Sequence, residues 1–216
     1  MSTAQSVSGA SGAFQEASIR QRILTWIVRR RVGITLLVFI VLVAEDIIEG
    51  VRPHDLTNWR DVKSVIGLGF VLTGLALRSW AAGILHKQST LTMHGPYAAI
   101  RNPLYVGSFM LMLGFCTLID DIENIWFIMG PFLLLFILQV RVEEQRLAAR
   151  FGANWDDYVR ATPRFIPRRL ATIRLGGWSA KQWVNNGEYR ALVATFVGLA
   201  ALAIWRLAQS GTLPPR

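Results

Sequence analysis

Five long apolar runs limit what this chain can fold into: Val32–Ile48, Val65–Leu85, Leu104–Ile119, Ile125–Val140 and Ala191–Ala208. A bilayer core about 30 Å thick needs roughly 20 helical residues, with a range of about 17–25. The second and fifth runs reach that length unaided. The other three reach it when flanking residues such as Trp126 and nearby arginines extend to the interface. The helices of soluble domains are apolar on one face, whereas these runs are apolar all round. A soluble chain of 216 residues could hardly bury five of them. The expected fold is all-α, a polytopic membrane protein with about five transmembrane helices.

Charge then orients the runs. The chain is basic as well as apolar, with net charge +9 and mean hydropathy +0.36. That pairing suits anionic headgroups better than nucleic acid, which would need a polar domain carrying the basic residues. Arg20, Arg22, Arg29, Arg30 and Arg31 precede the first run. The next connection is acid-rich, with Glu45, Asp46, Glu49, Asp55 and Asp61 beside Arg52, Arg60 and Lys63. His86, Lys87, His94 and Arg101 follow, without an acid, and then Asp120, Asp121 and Glu123 without a base. Arg and Lys crowd the segment from Arg141 to Arg190. The alternation predicts a cytoplasmic N-terminus, with the second and fourth connections on the same side. Residues 1–18, rich in Ser, Ala and Gly, read as a disordered tail and not a signal peptide. The remainder, 19–216, reads as one integral membrane domain. The single cysteine, Cys116, lies within an apolar run and reads as a small buried hydrophobe.

The third and fourth runs are joined only by "DDIEN", which predicts an antiparallel helical hairpin. "RVEEQRLAARFG" is made of good helix formers, so the fourth helix should continue past Val140 until Gly152.

The stretch "HGPYAAIRNPLYVGS", His94–Ser108, is dense in turn residues. Asn102 before Pro103 reads as a helix start, with Asn as N-cap and Pro in the first turn. "HGPY" reads as a turn ahead of it. A helix N-terminus flanked by Tyr97 and Tyr105 suits a carboxylate or phosphate; a plain structural connection is the competing reading. Glu143 and Glu144 should lie one turn beyond the fourth run, beside this loop. Their roles are a ligand's hydroxyls or amine, or ion pairs with Arg141, Arg146 or Arg150 along the helix. Arg78 sits inside the second run, where an ionisable residue is a functional candidate. Trp178, Trp183 and "NNG" at Asn185–Gly187 read as an interfacial anchor or as a lid.

"GPYAAIRNPLYVG" followed by "EEQRLAARFGANWDDYVRATPRFIP" resembles the isoprenylcysteine carboxyl methyltransferase and phospholipid methyltransferase superfamily of integral membrane enzymes. The likeness covers about Leu91 to Pro167. It implies S-adenosyl-L-methionine as cofactor, in a cytoplasmic pocket within about residues 86–170. It implies cofactor binding by Leu91, Thr92, His94, Gly95, Tyr97, Arg101, Asn102, Pro103, Leu104, Tyr105 and one or both of Glu143 and Glu144. Arg78, Gln139 and Arg141 are the candidates for positioning the acceptor. The eukaryotic carboxyl methyltransferases carry His where this chain has Asn102, and Arg at the position of Gln139. The implied acceptor is lipophilic or amphipathic, presenting a carboxylate, a phospholipid amine or a thiol. The implied location is a bacterial inner membrane. Methyl transfer needs alignment and exclusion of water more than a metal or a nucleophilic triad, and no metal-ligand cluster stands out in the sequence. The histidines His54, His86 and His94 are scattered; His86 and His94 flank the loop and are candidates for a base. The alternatives are an NADPH-dependent membrane reductase of the sterol reductase type, and a non-enzymatic membrane assembly or transport protein.

Overall fold

The computed structural model describes residues 37–86, 90–120, 122–168 and 176–211. The N-terminal tail, the arginines ahead of the first run, Lys87 and Asp121 lie outside these. All regular structure among the described residues is helical: α1 (37–49), α2 (Val62–Ile84), α3 (Pro96–Ala99), α4 (Pro103–Ile119), α5 (Ile122–Phe151), α6 (Ala153–Ala161), α7 (Ala180–Asn185) and α8 (Tyr189–Ser210).

Two of these, Val62–Ile84 and Tyr189–Ser210, are long and apolar enough to cross a membrane. They coincide with the second and fifth runs. Their outward sides expose Val65, Ile66 and Leu72 on α2 and Val193, Phe196, Val197 and Leu207 on α8. Water disfavours apolar surface of that extent, and hydrocarbon accommodates it. α4 is apolar but shorter, 17 residues. α5 is a single helix of 30 residues. The apolar fourth run and the "RVEEQRLAARF" extension are therefore continuous. The helix stops where Gly152 takes φ 52°, a conformation that side chains other than glycine's resist.

α2 starts at Asp61, whose carboxylate accepts from the Lys63 amide at 3.1 Å and caps the first turn. It packs antiparallel on α4, with Gly67 facing Gly114 and Gly74 facing Gly107. The connection from α4 to α5 is tighter than "DDIEN" suggests. α4 runs to Ile119 and α5 begins at Ile122, because Asp120 tolerates the left-handed conformation (φ 67°) and reverses the chain in one step. Val71, Leu118, Ile119 and Leu202 form the core between α2, α4 and α8, with Phe39 and Val43 of α1 against it.

The two ends of the bundle differ in charge. At one end His54 lies between two carboxylates, with Nδ1 2.5 Å from Asp61 and Nε2 3.0 Å from Asp120. Lys63 pairs with Asp120, and Arg206 donates to the Pro53 carbonyl at 2.7 Å. The other end gathers the loop 85–102, the polar half of α5, α6, α7 and the start of α8. Among the described residues, Asp55, Asp61 and Asp120 thus gather at one end of the bundle and Arg101 and Arg164 at the other.

Candidate active site

The loop leaves α2 with His86 turned back: its amide donates to Thr92 Oγ1 at 3.3 Å and its Nδ1 lies 2.8 Å from the Ile84 carbonyl. "HGPY" forms more than a turn. Gly95 takes φ 59° and Pro96 opens the one-turn helix α3. A Cβ on Gly95 would meet Ile84 Cδ1 at 2.5 Å, a side-chain end that can turn aside, so it is the positive φ that requires glycine. α3 buries Tyr97, and the Tyr158 hydroxyl on α6 donates to the Tyr97 carbonyl at 2.7 Å. The Arg101 amide donates to the Pro163 carbonyl at 2.9 Å. The loop is thus pinned from above by α6 and the segment after it.

Asn102 occupies the N-cap position of α4 and Pro103 the first turn, as read from the sequence. The expected cap bond is not made. The Asn102 side chain turns inward instead, and its Nδ2 donates to the buried Glu144 Oε1 at 3.1 Å, a charge-assisted bond. Glu144 also receives the Arg164 guanidinium on both oxygens, at 3.1 Å and 2.5 Å, and lies 3.6 Å from Arg101 Nη1. The Arg101 guanidinium in turn stacks over Trp155, 5.9 Å from the ring centroid. Helical spacing predicts partners for the acid pair on its own helix; those of Glu144 come instead from the loop and from beyond α6.

Glu143 is held differently. It accepts from the Tyr105 hydroxyl at 2.8 Å, and Tyr105 packs edge-on to Phe136 with centroids 5.1 Å apart. Among the described residues no cation pairs with Glu143. Tyr97 is 7% exposed, and its hydroxyl makes no hydrogen bond among the described residues. Burial pushes the Tyr97 phenol well above its ordinary range, and the nearby Glu143 carboxylate acts in the same direction. Burial likewise raises Tyr158, against the pull of Arg101. Both phenols stay protonated; the Tyr158 hydroxyl donates to the Tyr97 carbonyl, and the Tyr97 hydroxyl keeps its proton for a partner. Two other buried polar atoms here also lack partners: Arg101 Nε and Gln139 Oε1. Tyr97, Arg101 and Gln139 thus carry unmet hydrogen-bonding capacity among the described residues, and the Glu143 carboxylate acts on the Tyr97 phenol. Polar groups buried in that state are uncommon in proteins.

The other sequence candidates fall as follows. Thr92, Gly95, Asn102 and Pro103 are buried, Leu91, Leu104 and Tyr105 half-buried, and His94 exposed against Gly177. Gln139 is buried, whereas Arg141 faces outward on α5. Arg78 is engaged by Glu188, with Nε to Oε1 at 2.8 Å and Nη2 to Oε2 at 2.9 Å. Trp178 and α7 dock on the C-terminus of α2. The Asn186 amide donates to the Ala82 and Leu85 carbonyls at 2.7 Å and 2.8 Å, and Gln182 to Leu85 at 2.6 Å. These side chains satisfy carbonyls that the helix end leaves open.

Sequence reasoning assigns no role to Arg164, Trp155, Tyr158 or Glu188. The first three sit within the quoted motif. Glu188 has a signal: a buried arginine needs an acid, and Glu188 is the one acidic residue after Asp157. A cleft of about 300 Å³ lies at the other end of the bundle, between Leu56, Trp59, Val65, Leu68 and Leu72. Its walls are almost entirely apolar, so the void and the polar chemistry do not coincide. Among the described residues no three His, Cys, Asp or Glu side chains are placed to hold a metal ion.

The phospholipid methyltransferase family profile matches residues 71–154, which carry most of these groups. The nickel-cobalt-cadmium resistance protein NccN of Alcaligenes xylosoxydans xylosoxydans is 31% identical over 189 residues, 86% of this chain and 82% of that protein. The cobalt-zinc-cadmium resistance protein CzcN of Cupriavidus metallidurans is 27% identical over 154 residues, 70% of each. The protein-S-isoprenylcysteine O-methyltransferase of Schizosaccharomyces pombe is 30% identical over 112 residues, 46% of this chain and 48% of that enzyme. No solved structure matches the chain. The family profile over residues 71–154 and the similarity to the protein-S-isoprenylcysteine O-methyltransferase agree: this protein belongs to the isoprenylcysteine carboxyl methyltransferase and phospholipid methyltransferase superfamily.

Proposed function

We propose that the chain transfers the methyl group of S-adenosylmethionine to a lipophilic acceptor, in a pocket open to the cytoplasm at the α2 C-terminal end. The observation that carries this reading is the buried, unpartnered Tyr97 hydroxyl beside Glu143, inside the segment that the family profile matches. A ligand that fits must complete these bonds. A cofactor with ribose hydroxyls, an ammonium and a carboxylate can do so.

Each residue then has a task. Among the described residues Glu143 has a neutral hydroxyl as its partner, and so offers lone pairs to the cofactor's hydroxyls or ammonium. Glu144, saturated by Asn102 and Arg164, clasps the loop to α5. The amides at the start of α4 and the positive end of its dipole suit the carboxylate. Tyr97, Tyr105 and Phe136 line the pocket and exclude water. The bound cofactor supplies an electrophilic methyl group; the protein's work is to hold the acceptor in line with it. Arg78 is already neutralised and Arg141 points away, so among the three acceptor candidates Gln139, with its free Oε1, is the one placed to orient the head group. The two relatives matched over most of their length are named for metal resistance. The acceptor is therefore best sought in cells challenged with nickel, cobalt, cadmium or zinc.

Calorimetry in detergent with S-adenosylhomocysteine, and in parallel with NADPH, tests the reading. We expect S-adenosylhomocysteine to bind. Glu143→Gln should weaken it by about 1–3 kcal/mol, the cost of stranding a buried partner, with folding intact. Binding of NADPH alone would replace this reading with a reductase.

The placement of the pocket is tested by labelling. Cys116 is buried, so the native background is low. A cysteine in place of the exposed Met93 should react only from the cytoplasmic side. One in place of Arg60 should react only from the other. Reaction of both from one side would overturn the proposed topology.

A further inference from the structure

Arg78 lies inside a helix long and apolar enough to cross a membrane, and its partner Glu188 is 4% exposed at the start of another. Withdrawing two charges from water is costly, and an apolar pair of the same size is often as stable or more so. The pair therefore calls for a reason other than stability. Its geometry suggests one. One edge of the Arg78 guanidinium, Nε and Nη2, meets both carboxylate oxygens of Glu188. Nη1 meets Ser108 Oγ and, at 3.5 Å, the Leu104 carbonyl. Ser108 Oγ itself donates to Leu104 at 2.9 Å. Leu104 is in the first turn of α4, next to Tyr105, which holds Glu143. A continuous line of bonds thus runs from α8 through Arg78 to the turn that faces the pocket. The Tyr97 hydroxyl feels the charges of Arg78 and Glu188 as well.

We infer that Glu188 is a positioning residue: acting through Arg78, it fixes the first turn of α4 so that Tyr105 and Glu143 meet the cofactor. This rests on the methyltransferase reading above. It brings the last helix, outside the segment matched by the family profile, into the working site. An unneutralised Arg78 would be free to turn toward Glu143, and the turn would lose its anchor.

The test measures S-adenosylhomocysteine affinity and thermal unfolding in the same detergent for the wild type, Glu188→Gln, Glu188→Asp and the double variant Arg78→Met/Glu188→Met. Glu188→Gln and the double variant should bind about tenfold more weakly, within the range of coupling carried by such networks. The double variant should unfold at or above the wild-type temperature. Glu188→Asp should recover part of the affinity, since it keeps the charge. Unchanged affinity in both Glu188→Gln and the double variant would overturn the inference, and so would affinity that falls only in step with the folded fraction. A wild type that fails to bind S-adenosylhomocysteine would instead sink the methyltransferase reading, and this inference with it.

Discussion

Glu144→Leu should cost about 3–5 kcal/mol of folding stability, because it leaves buried positive charge without its counter-charge. The carboxylate is 8% exposed and receives Asn102 at 3.1 Å and Arg164 at 2.5 Å, with Arg101 at 3.6 Å. Arg101 cannot swing to water: its side chain is 11% exposed and its amide is tied to Pro163. Proteins have only about 5–15 kcal/mol in total, so much of the population should unfold in detergent or lose the loop. Glu144→Gln keeps the shape and one acceptor oxygen, and should cost about 1–3 kcal/mol. Glu143→Gln, one residue away, should leave unfolding within about 1 kcal/mol of wild type, since a neutral tyrosine hydroxyl can bond an amide oxygen too. Thermal unfolding and S-adenosylhomocysteine binding, measured on all three, separate a structural acid from one that faces the ligand. A Glu144→Leu protein of wild-type stability with weakened binding would reverse the two assignments.

The acid pair also marks where the sequence stops being informative. "RVEEQRLAARFG" predicts a helix through Glu143 and Glu144 because propensity and the Gly152 stop are local properties. The structure has that helix, ending at Phe151. The partners of the two acids are not local. Spacing of three residues favours Arg146 for Glu143 and Arg141 for Glu144 on α5, but Arg164, in the chain beyond α6, reaches back across the loop. Asn102 shows the same limit. Its type and position before Pro103 mark a helix start, and α4 does start there. Yet its side chain turns inward to Glu144, and the cap bond is not made. Apolar runs long enough to span are legible because length and composition suffice, and Val62–Ile84 and Tyr189–Ser210 follow. The pairing of Arg78 with Glu188 is hidden by 110 residues of separation. Only the scarcity of acids late in the chain hints at it. Of the residues expected to wrap a cofactor, Tyr97, Asn102, Tyr105, Glu143 and Glu144 lie together, whereas His94 is exposed against Gly177, because packing that no spacing rule encodes decides their neighbours.

Gly74→Leu should abolish the native packing of α2 on α4. A Cβ on Gly74 would sit 2.6 Å from the Gly107 carbonyl oxygen and 2.8 Å from the Leu111 amide nitrogen. Both are helix backbone, so no side chain can rotate aside and the helices themselves must part. Two turns further along, a Cβ on Gly114 would meet the Gly67 carbonyl at 2.7 Å. The glycines therefore stand in register along the antiparallel pair and set its close approach. In a membrane that approach matters more than burial does, because lipid tails are as apolar as leucine and helices associate through packing contacts. Gly74→Ala should cost about 1–3 kcal/mol, the usual range for overpacking, with Gly74→Leu well beyond it. Both α2 and α4 lead into the loop, so separating them also displaces Arg78 from Ser108 and should weaken S-adenosylhomocysteine binding. Gly69 is the internal control. It lies on the same helix, and a Cβ there would have no neighbour within 4 Å. Gly69→Ala should stabilise by up to about 1 kcal/mol through helix propensity alone. Thermal unfolding in one detergent compares the three variants. Equal unfolding temperatures for Gly74→Leu and Gly69→Ala would show that the glycine seam does not set the distance between the two helices.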